Sequence, residues 1–244
     1  MAMQRARRLA SVVVVASLGV AGLSGCQQAP GVAAYLGSLG TITESRVQAV
    51  WDNARDALPP QQQAKVPISR TDIVQTLILD KVFDQVAANH GLAASNDQID
   101  QIATSAKLPA STEFVQLYAH WASVFLQLKT AGQTAPEPGE ADLKMVYDGL
   151  VSNGVVQAGQ TYEQFKASLA SNADNDKLLR SSVASRDQID AVVDPLHIKV
   201  NPRYQPVPPL SLLSITTASG ASKDLISVPL GNNGSAAPVD AAAS

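Results

Sequence analysis

The single cysteine of this 244-residue chain, Cys26, is the side chain whose position most strongly suggests a chemical role. It follows Leu23-Ser24-Gly25, at the end of an apolar run from Leu9 to Leu23 that three arginines precede. A basic start, a short apolar run and small residues at its end form the layout of a secretory signal peptide. Because the run is shorter than the roughly 20 apolar residues of a spanning helix, it predicts an exported leader rather than a membrane anchor.

The stretch from Leu23 to Cys26 resembles the lipobox of bacterial lipoproteins. In that family the leader is cleaved before the cysteine, whose thiol carries a diacylglyceryl group. The resemblance implies that Cys26 is the lipidation point and that lipid holds the chain at the extracytoplasmic face of the cell membrane. The alternative is a core cysteine at the end of a membrane anchor. Because the chain has no second cysteine, an intrachain disulfide is excluded.

The histidines His90, His120 and His197 are the other candidates for metal or acid–base chemistry. No two of them have the spacing of metal ligands. Asp97 and Asp100, three residues apart on a predicted helix, are typical of a solvated helix face. Motifs for a hydrolase nucleophile, a dinucleotide fold or a P-loop do not occur. We therefore expect no catalytic residue, cofactor or metal site; a cleft in which His90 or His120 met nearby carboxylates would favour an enzyme instead.

Four aromatic side chains recur at i, i+4, i+7 and i+11 along one predicted helix: Phe114, Tyr118, Trp121 and Phe125. This spacing places them on a single helix face. They either pack in the core against the apolar helix at Ile73–Val86, or in part line a groove for apolar peptide segments. The core interpretation is favoured because aromatic residues make up only 5% of the chain.

The charge of the chain excludes one class of partner. It carries 18 Lys and Arg against 21 Asp and Glu, a net charge of −3, and loss of the arginine-bearing leader makes the mature chain more acidic. An acidic surface argues against nucleic acid and against broad electrostatic attraction to anionic lipid. Membrane attachment is therefore expected from the lipid.

Helical patterns fill most of the chain between two candidate strands, at Val32–Gly37 and Ile198–Tyr204. Helix starts are predicted at Thr43 and at the boxes Ser69–Asp72, Ser95–Gln98 and Thr161–Gln164, and a helix end at Gly91. Because a lone strand leaves backbone groups without partners, the two strands are expected to pair. The predicted fold is mostly α, with a small two-stranded sheet that joins both ends of the domain.

The chain divides into four predicted segments: a signal peptide at 1–25, a tether at 26–31, a helical domain at 32–204 and a tail at 205–244. The tail is rich in Pro, Ser and Ala and is expected to be mostly disordered. Within it, Asp224–Leu230 is a candidate local strand or docking element.

Several motifs in the helical part resemble the N-terminal domain of SurA-type chaperones. They are, in order, A-A-Y-L-G followed by I-T-E-S-R-V (Ile42–Val47), the helix Ile68–Val82 with A-A-N-H-G-L after it, Ser95–Ile102, Glu140–Asp148 and the returning I-K-V-N-P-R-Y. In that family a helical domain, completed by a late segment of the chain, binds unfolded exported polypeptides. The parvulin isomerase domain of many members needs on the order of 100 residues with several strands, and the chain has no such block.

The resemblance implies a lipid-anchored, chaperone-like module that binds unfolded or exported polypeptides without prolyl isomerase activity. The alternative is a structural or adaptor lipoprotein of the cell envelope that binds one specific protein partner. Neither function requires a cofactor or nucleic acid, and neither is an enzyme.

Overall fold

Seven α-helices dominate the computed structural model, which describes residues 31–156, 159–217 and 219–231. The helices are α1 (Glu44–Asp56), α2 (Arg70–His90), α3 (Ile99–Ala106), α4 (Glu113–Gly132), α5 (Glu140–Ser152), α6 (Tyr162–Ala170) and α7 (Ala173–Val193). The strands are β1 (Val32–Tyr35), β2 (Thr41–Thr43), β3 (Lys199–Val200), β4 (Leu210–Thr216) and β5 (Ser222–Val228). The predicted mostly helical class is confirmed, while the predicted signal peptide and Cys26 lie outside the described residues.

Helix α2 is the centre of the body, as its wide apolar stripe predicts. Its buried apolar side chains are Ile73, Val74, Leu77, Ile78, Leu79, Val82, Phe83 and Val86. It packs against α1, α4, α7 and the sheet formed by the first strands. The capping box at Ser69 and Asp72 starts it, and Gly91 in the left-handed conformation ends it.

The other predicted helix starts have mixed outcomes. The hydroxyl of Thr43 accepts the Arg46 N–H at 3.1 Å, and the box at Thr161–Gln164 is formed. The box at Ser95–Gln98 is wrong: the Ser95 hydroxyl donates to Asp97 instead, at 2.9 Å. The Ser95 N–H donates to the Ser123 hydroxyl of α4 at 2.9 Å, so a tertiary contact fixes this residue before α3 begins.

The two ends of the predicted domain pair in one sheet, in the order β2-β1-β3. Strand β1 runs antiparallel to β3, with Ala34 opposite Val200. The predicted pairing is confirmed, but the sheet has three strands rather than two, because β2 also pairs with β1. The predicted strand at 198–204 is shorter than expected: Pro202 starts a 3-10 turn, since proline has no N–H for the ladder.

Residues 205–217 and 219–231 are folded, so the prediction of a mostly disordered tail is wrong for this part. Strands β4 and β5 form an antiparallel hairpin that packs against α7 and α5. Its buried aliphatic side chains are Leu210, Leu212, Ile226, Val228 and Leu230. The frequent Ser and Pro favoured disorder, but these aliphatic residues alternate with polar ones and supply a buried strand face. Residues 232–244 lie outside the described part of the chain.

A lysine ties the hairpin to the helices. The Lys129 Nζ of α4 donates to the Ser182 hydroxyl of α7 at 2.7 Å and to the Leu212 carbonyl of β4 at 3.1 Å. Burial lowers the pKa of Lys129 to about 8, because desolvation disfavours its charged form. Three elements that are distant in sequence therefore meet at one side chain.

A close backbone contact joins the chain after β1 to the 3-10 turn Asp194–Leu196 that follows α7. Gly37 has φ +51°, and a Cβ on it would lie 2.6 Å from the Leu196 carbonyl oxygen. Gly91 also has positive φ, at +64°, but nothing lies within 4 Å of the corresponding position. Both glycines adopt a backbone conformation that disfavours other residues, but only Gly37 also has a close neighbour. Substitutions at the two positions therefore distinguish the cost of the conformation from the cost of the contact.

We expect Gly91→Ala to lower the free energy of unfolding by about 1–2 kcal/mol, the usual cost of a left-handed non-glycine residue. Gly37→Ala should cost about 1–3 kcal/mol more, because the chain must also shift away from Leu196. Urea unfolding of the two variants measures the difference. Equal losses would show that the contact at Gly37 is not tight.

Candidate functional site

An apolar groove of about 760 Å³ lies between α2, α3, α4 and the start of β4. Its aliphatic walls include Ile68, Leu79, Ile102, Leu126 and Leu210. Its volume falls within the range of about 300–1,000 Å³ that is usual for ligand sites. The four predicted aromatic residues converge on this groove.

The aromatic row of α4 lies both in the core and along the groove. Phe114 and Trp121 are buried, whereas Tyr118 and Phe125 are half-buried, and all four line the groove. Successive ring centroids are 6.2 Å apart from Phe114 to Tyr118, 4.6 Å from Tyr118 to Trp121 and 6.4 Å from Trp121 to Phe125. The row therefore belongs to the core and also contributes to the wall of the groove.

Phe83 of α2 supports this row from behind. Its ring centroid lies 5.8 Å from that of Trp121 and 5.8 Å from that of Phe125, and its side chain is fully buried. Aromatic pairs at this distance add to the free energy of burial. The position of the groove wall consequently depends on the core contact between α2 and α4.

The indole N–H of Trp121 has no hydrogen-bond acceptor among the described residues, although its side chain is only 6% exposed. Buried polar groups are nearly always paired, and an unpaired one needs an explanation. The nitrogen itself is buried from solvent, although other atoms of Trp121 line the groove.

The described residues that line the groove are almost all uncharged. Asp72 is the one charged side chain there, and its carboxylate is engaged by the Ser69 N–H at 2.7 Å. Three glutamines, Gln75, Gln98 and Gln101, contribute uncharged amide groups to the lining. The Gln75 amide donates to the Pro208 carbonyl at 3.0 Å. Burial raises the pKa of Tyr118, so its hydroxyl stays neutral. This lining suits an uncharged, largely apolar ligand.

The other residues singled out from the sequence lie away from the groove. His90 is exposed at the end of α2, and His197 is exposed after a 3-10 turn. Asp97 and Asp100 are exposed beside and on α3, as expected for a solvated face.

His120 is the exception, because it meets two carboxylates in a second cleft of about 650 Å³. Its Nδ1 lies 2.9 Å from an oxygen of Asp80, and its Nε2 lies 3.7 Å from an oxygen of Asp84. Burial, and then the charge of Asp84, raise the pKa of Asp80 above its ordinary value. A meeting of His120 with carboxylates in a cleft is the arrangement named above as favouring an enzyme. Sequence reasoning did not identify Asp80 and Asp84 as these carboxylates, although two aspartates at i and i+4 on α2 were a visible signal of a shared helix face.

Sequence reasoning also missed the aliphatic walls of the groove. Leu126 is 49% exposed and lies beside the core stripe of α4. A large apolar residue off the buried face of a helix was the available signal. Leu210 could not be found in this way, because its segment was expected to be disordered.

Comparison with protein-family models, with curated proteins and with solved structures found no match. The likeness to SurA-type chaperones therefore rests on the sequence motifs and stays a prediction. Among the described helices, none is long and apolar enough to cross a membrane.

Proposed function

We propose that this protein is a lipid-anchored, extracytoplasmic module that binds unfolded or exported polypeptides in the apolar groove, without an isomerase step. The observation that carries the proposal is the aromatic wall of the groove, in which Tyr118 and Phe125 stay partly exposed. The apolar side chains of a polypeptide segment would cover these rings.

The start of β4 supports an extended ligand. In the described part of the chain β4 pairs with β5 alone, so its other edge has no strand partner. Pro209, Leu210 and Ser211 of this segment line the groove. A peptide that adds to a strand edge gains backbone hydrogen bonds and places alternate side chains into neighbouring pockets. The Leu212 carbonyl already accepts a hydrogen bond from Lys129, so only a short peptide segment would pair with the start of β4.

Lipid attachment at Cys26 is the second part of the proposal. The lipobox-like stretch supports it, and the short tether at 26–31 would keep the folded body within about 20 Å of the bilayer. The groove would then meet polypeptides close to the membrane from which they emerge. The acidic surface favours lipid over charge as the source of attachment.

The test compares two substitutions at similarly exposed positions. Leu126 is 49% exposed in the groove wall, and Met145 is 42% exposed on α5, outside the groove. We expect Leu126→Glu to weaken binding about tenfold or more, because a carboxylate would have to be desolvated beneath the ligand. Met145→Glu should bind as the unchanged protein does.

Two measurements read out this comparison. One is the aggregation of a chemically unfolded client with and without the protein; the other is the fluorescence polarisation of a labelled apolar peptide. A chain that begins at Gln27 keeps every described contact, and circular dichroism checks that each variant is folded. Failure of the folded protein to suppress aggregation, or equal binding by both variants, would contradict the proposal. Stoichiometric capture of one partner without general suppression would favour the adaptor function.

A further inference from the structure

We propose that Asp80, Asp84 and His120 form a binding site for a divalent transition-metal ion, for which Zn²⁺ is the appropriate probe. The site lies between α2 and α4, in the second cleft described above, which is separate from the apolar groove. Each of the three residues offers one ligand atom, and these atoms lie within 4.8 Å of one another. A nitrogen and carboxylate oxygens are ligands that zinc accepts.

Two helices bring these ligands together. Asp80 and Asp84 are one turn apart and share a face of α2. His120 projects from α4, which packs directly against α2. Because both helices belong to the core, the ligands are held on rigid elements rather than on a loop.

The distance between His120 and Asp84 leaves room for an ion between them. The separation of 3.7 Å between Nε2 and the Asp84 oxygen is longer than a hydrogen bond. Two ligands that each lie about 2.0–2.2 Å from a tetrahedral zinc are about 3.4 Å apart. A small movement of the exposed Asp84 side chain would therefore bring both atoms to coordination distance.

Asp80 acts as the positioning residue for the imidazole. Its oxygen lies 2.9 Å from Nδ1 of His120, so Nδ1–H donates to the carboxylate and the Nε2 lone pair is directed away from it. Metal-binding histidines commonly donate their second ring N–H to a carboxylate in this way, which fixes the tautomer and the ring orientation. The other carboxylate oxygen of Asp80 would be the ligand atom that this residue offers.

The charge balance of the cleft also favours a cation. Within the described residues neither Asp80 nor Asp84 forms an ion pair with Lys or Arg, whereas Glu113 in the same cleft is held by Arg46 at 2.6 Å. The two aspartate side chains are 16% and 51% exposed, so an ion reaches them from solvent. Water would complete the coordination, and the site would be weaker than a closed four-ligand site.

The experiment uses the full chain without an affinity tag, purified in mild detergent, with Cys26→Ser so that a free thiol cannot bind zinc. Isothermal titration with Zn²⁺ is expected to give one ion per chain, and saturating Zn²⁺ should raise the unfolding temperature. Mg²⁺, which avoids imidazole, should do neither.

Three variants assign the site. Asp84→Asn and His120→Asn should each abolish the stoichiometric binding, and Asp80→Asn should weaken it about 10–100-fold, as loss of an orienting carboxylate does. His90→Asn, at an exposed histidine of the same helix α2, is the matched control and should bind normally. Absence of stoichiometric Zn²⁺ binding overturns the proposal. So does binding that survives both Asp84→Asn, at an exposed position, and His120→Asn.

Discussion

A chain that ends at Tyr204 is expected not to fold stably, whereas a chain that ends at Gly231 is expected to keep the stability of the whole protein. The shorter chain loses the β4–β5 hairpin, and with it the buried side chains of Leu210, Leu212, Ile226, Val228 and Leu230. It also exposes the surfaces of α5 and α7 against which the hairpin packs.

The size of this effect follows from burial. A fully buried aliphatic side chain contributes about 1.5–3 kcal/mol. Folded domains are stable by only about 5–15 kcal/mol in total. Removing five such side chains therefore takes away a share comparable with the whole stability. The loss also leaves Lys129 partly buried without its Leu212 acceptor.

Circular dichroism and urea unfolding of the two truncated chains measure the effect. We expect the chain that ends at Tyr204 to lack a cooperative transition and the one that ends at Gly231 to unfold like the full chain. A cooperative, equally stable 1–204 chain would show that the hairpin is an appendage. The result also decides which truncation is suitable for locating a partner-binding segment. A deletion of 205–244 removes the hairpin and would test folding, whereas a deletion of 232–244 leaves the hairpin intact.

The second large effect is expected from Phe83→Ala, which should lower the free energy of unfolding by about 3–5 kcal/mol. Phe83 is fully buried, and its ring contacts both Trp121 and Phe125. Loss of the ring leaves a cavity behind the aromatic row, between α2 and α4. The groove wall then loses its support, so peptide binding should weaken although Phe83 does not line the groove.

Leu126→Ala is the matched control for this substitution. It removes an apolar side chain that is half exposed, so its cost in stability should stay near 0.5 kcal/mol. Urea unfolding gives the stability of both variants, and the peptide-binding assay compares Phe83→Ala with the unchanged protein. If Phe83→Ala were as mild as Leu126→Ala, the contact between α2 and the aromatic row would not support the body.

The helices could be predicted where local signals carried the information. For α2, the apolar stripe, the box at Ser69–Asp72 and the terminal Gly91 all lie within one stretch of sequence, and all three agree with the structure. The pairing of β1 with β3 was also predictable, because an unpaired strand at each end needed a partner. These features depend on residues close in sequence, or on the need of backbone groups in a strand for hydrogen-bond partners.

The hairpin was only partly predictable, and the His120 cluster needed information that no local pattern holds. The candidate strand at Asp224–Leu230 overlaps β5, but β4 was not predicted, and the hairpin packs on surfaces of α5 and α7 that come from distant parts of the chain. The cluster depends on the register between α2 and α4, which places His120 next to Asp80. The groove follows the same rule, since its walls come from four separate elements.

The closure of the body by its first sheet determines how it would respond to a pulling force. Strand β1 enters from residue 31 and lies between β2 and β3, and Gly231, where the described chain ends, packs on Val200 of β3. In a chain tethered at Cys26, tension from a captured polypeptide would act first on β1, which is joined to β3 by the pairs Ala34–Val200 and Tyr35–Lys199. Because β1 also pairs with β2, we expect both ladders of β1 to bear this tension before the helices do.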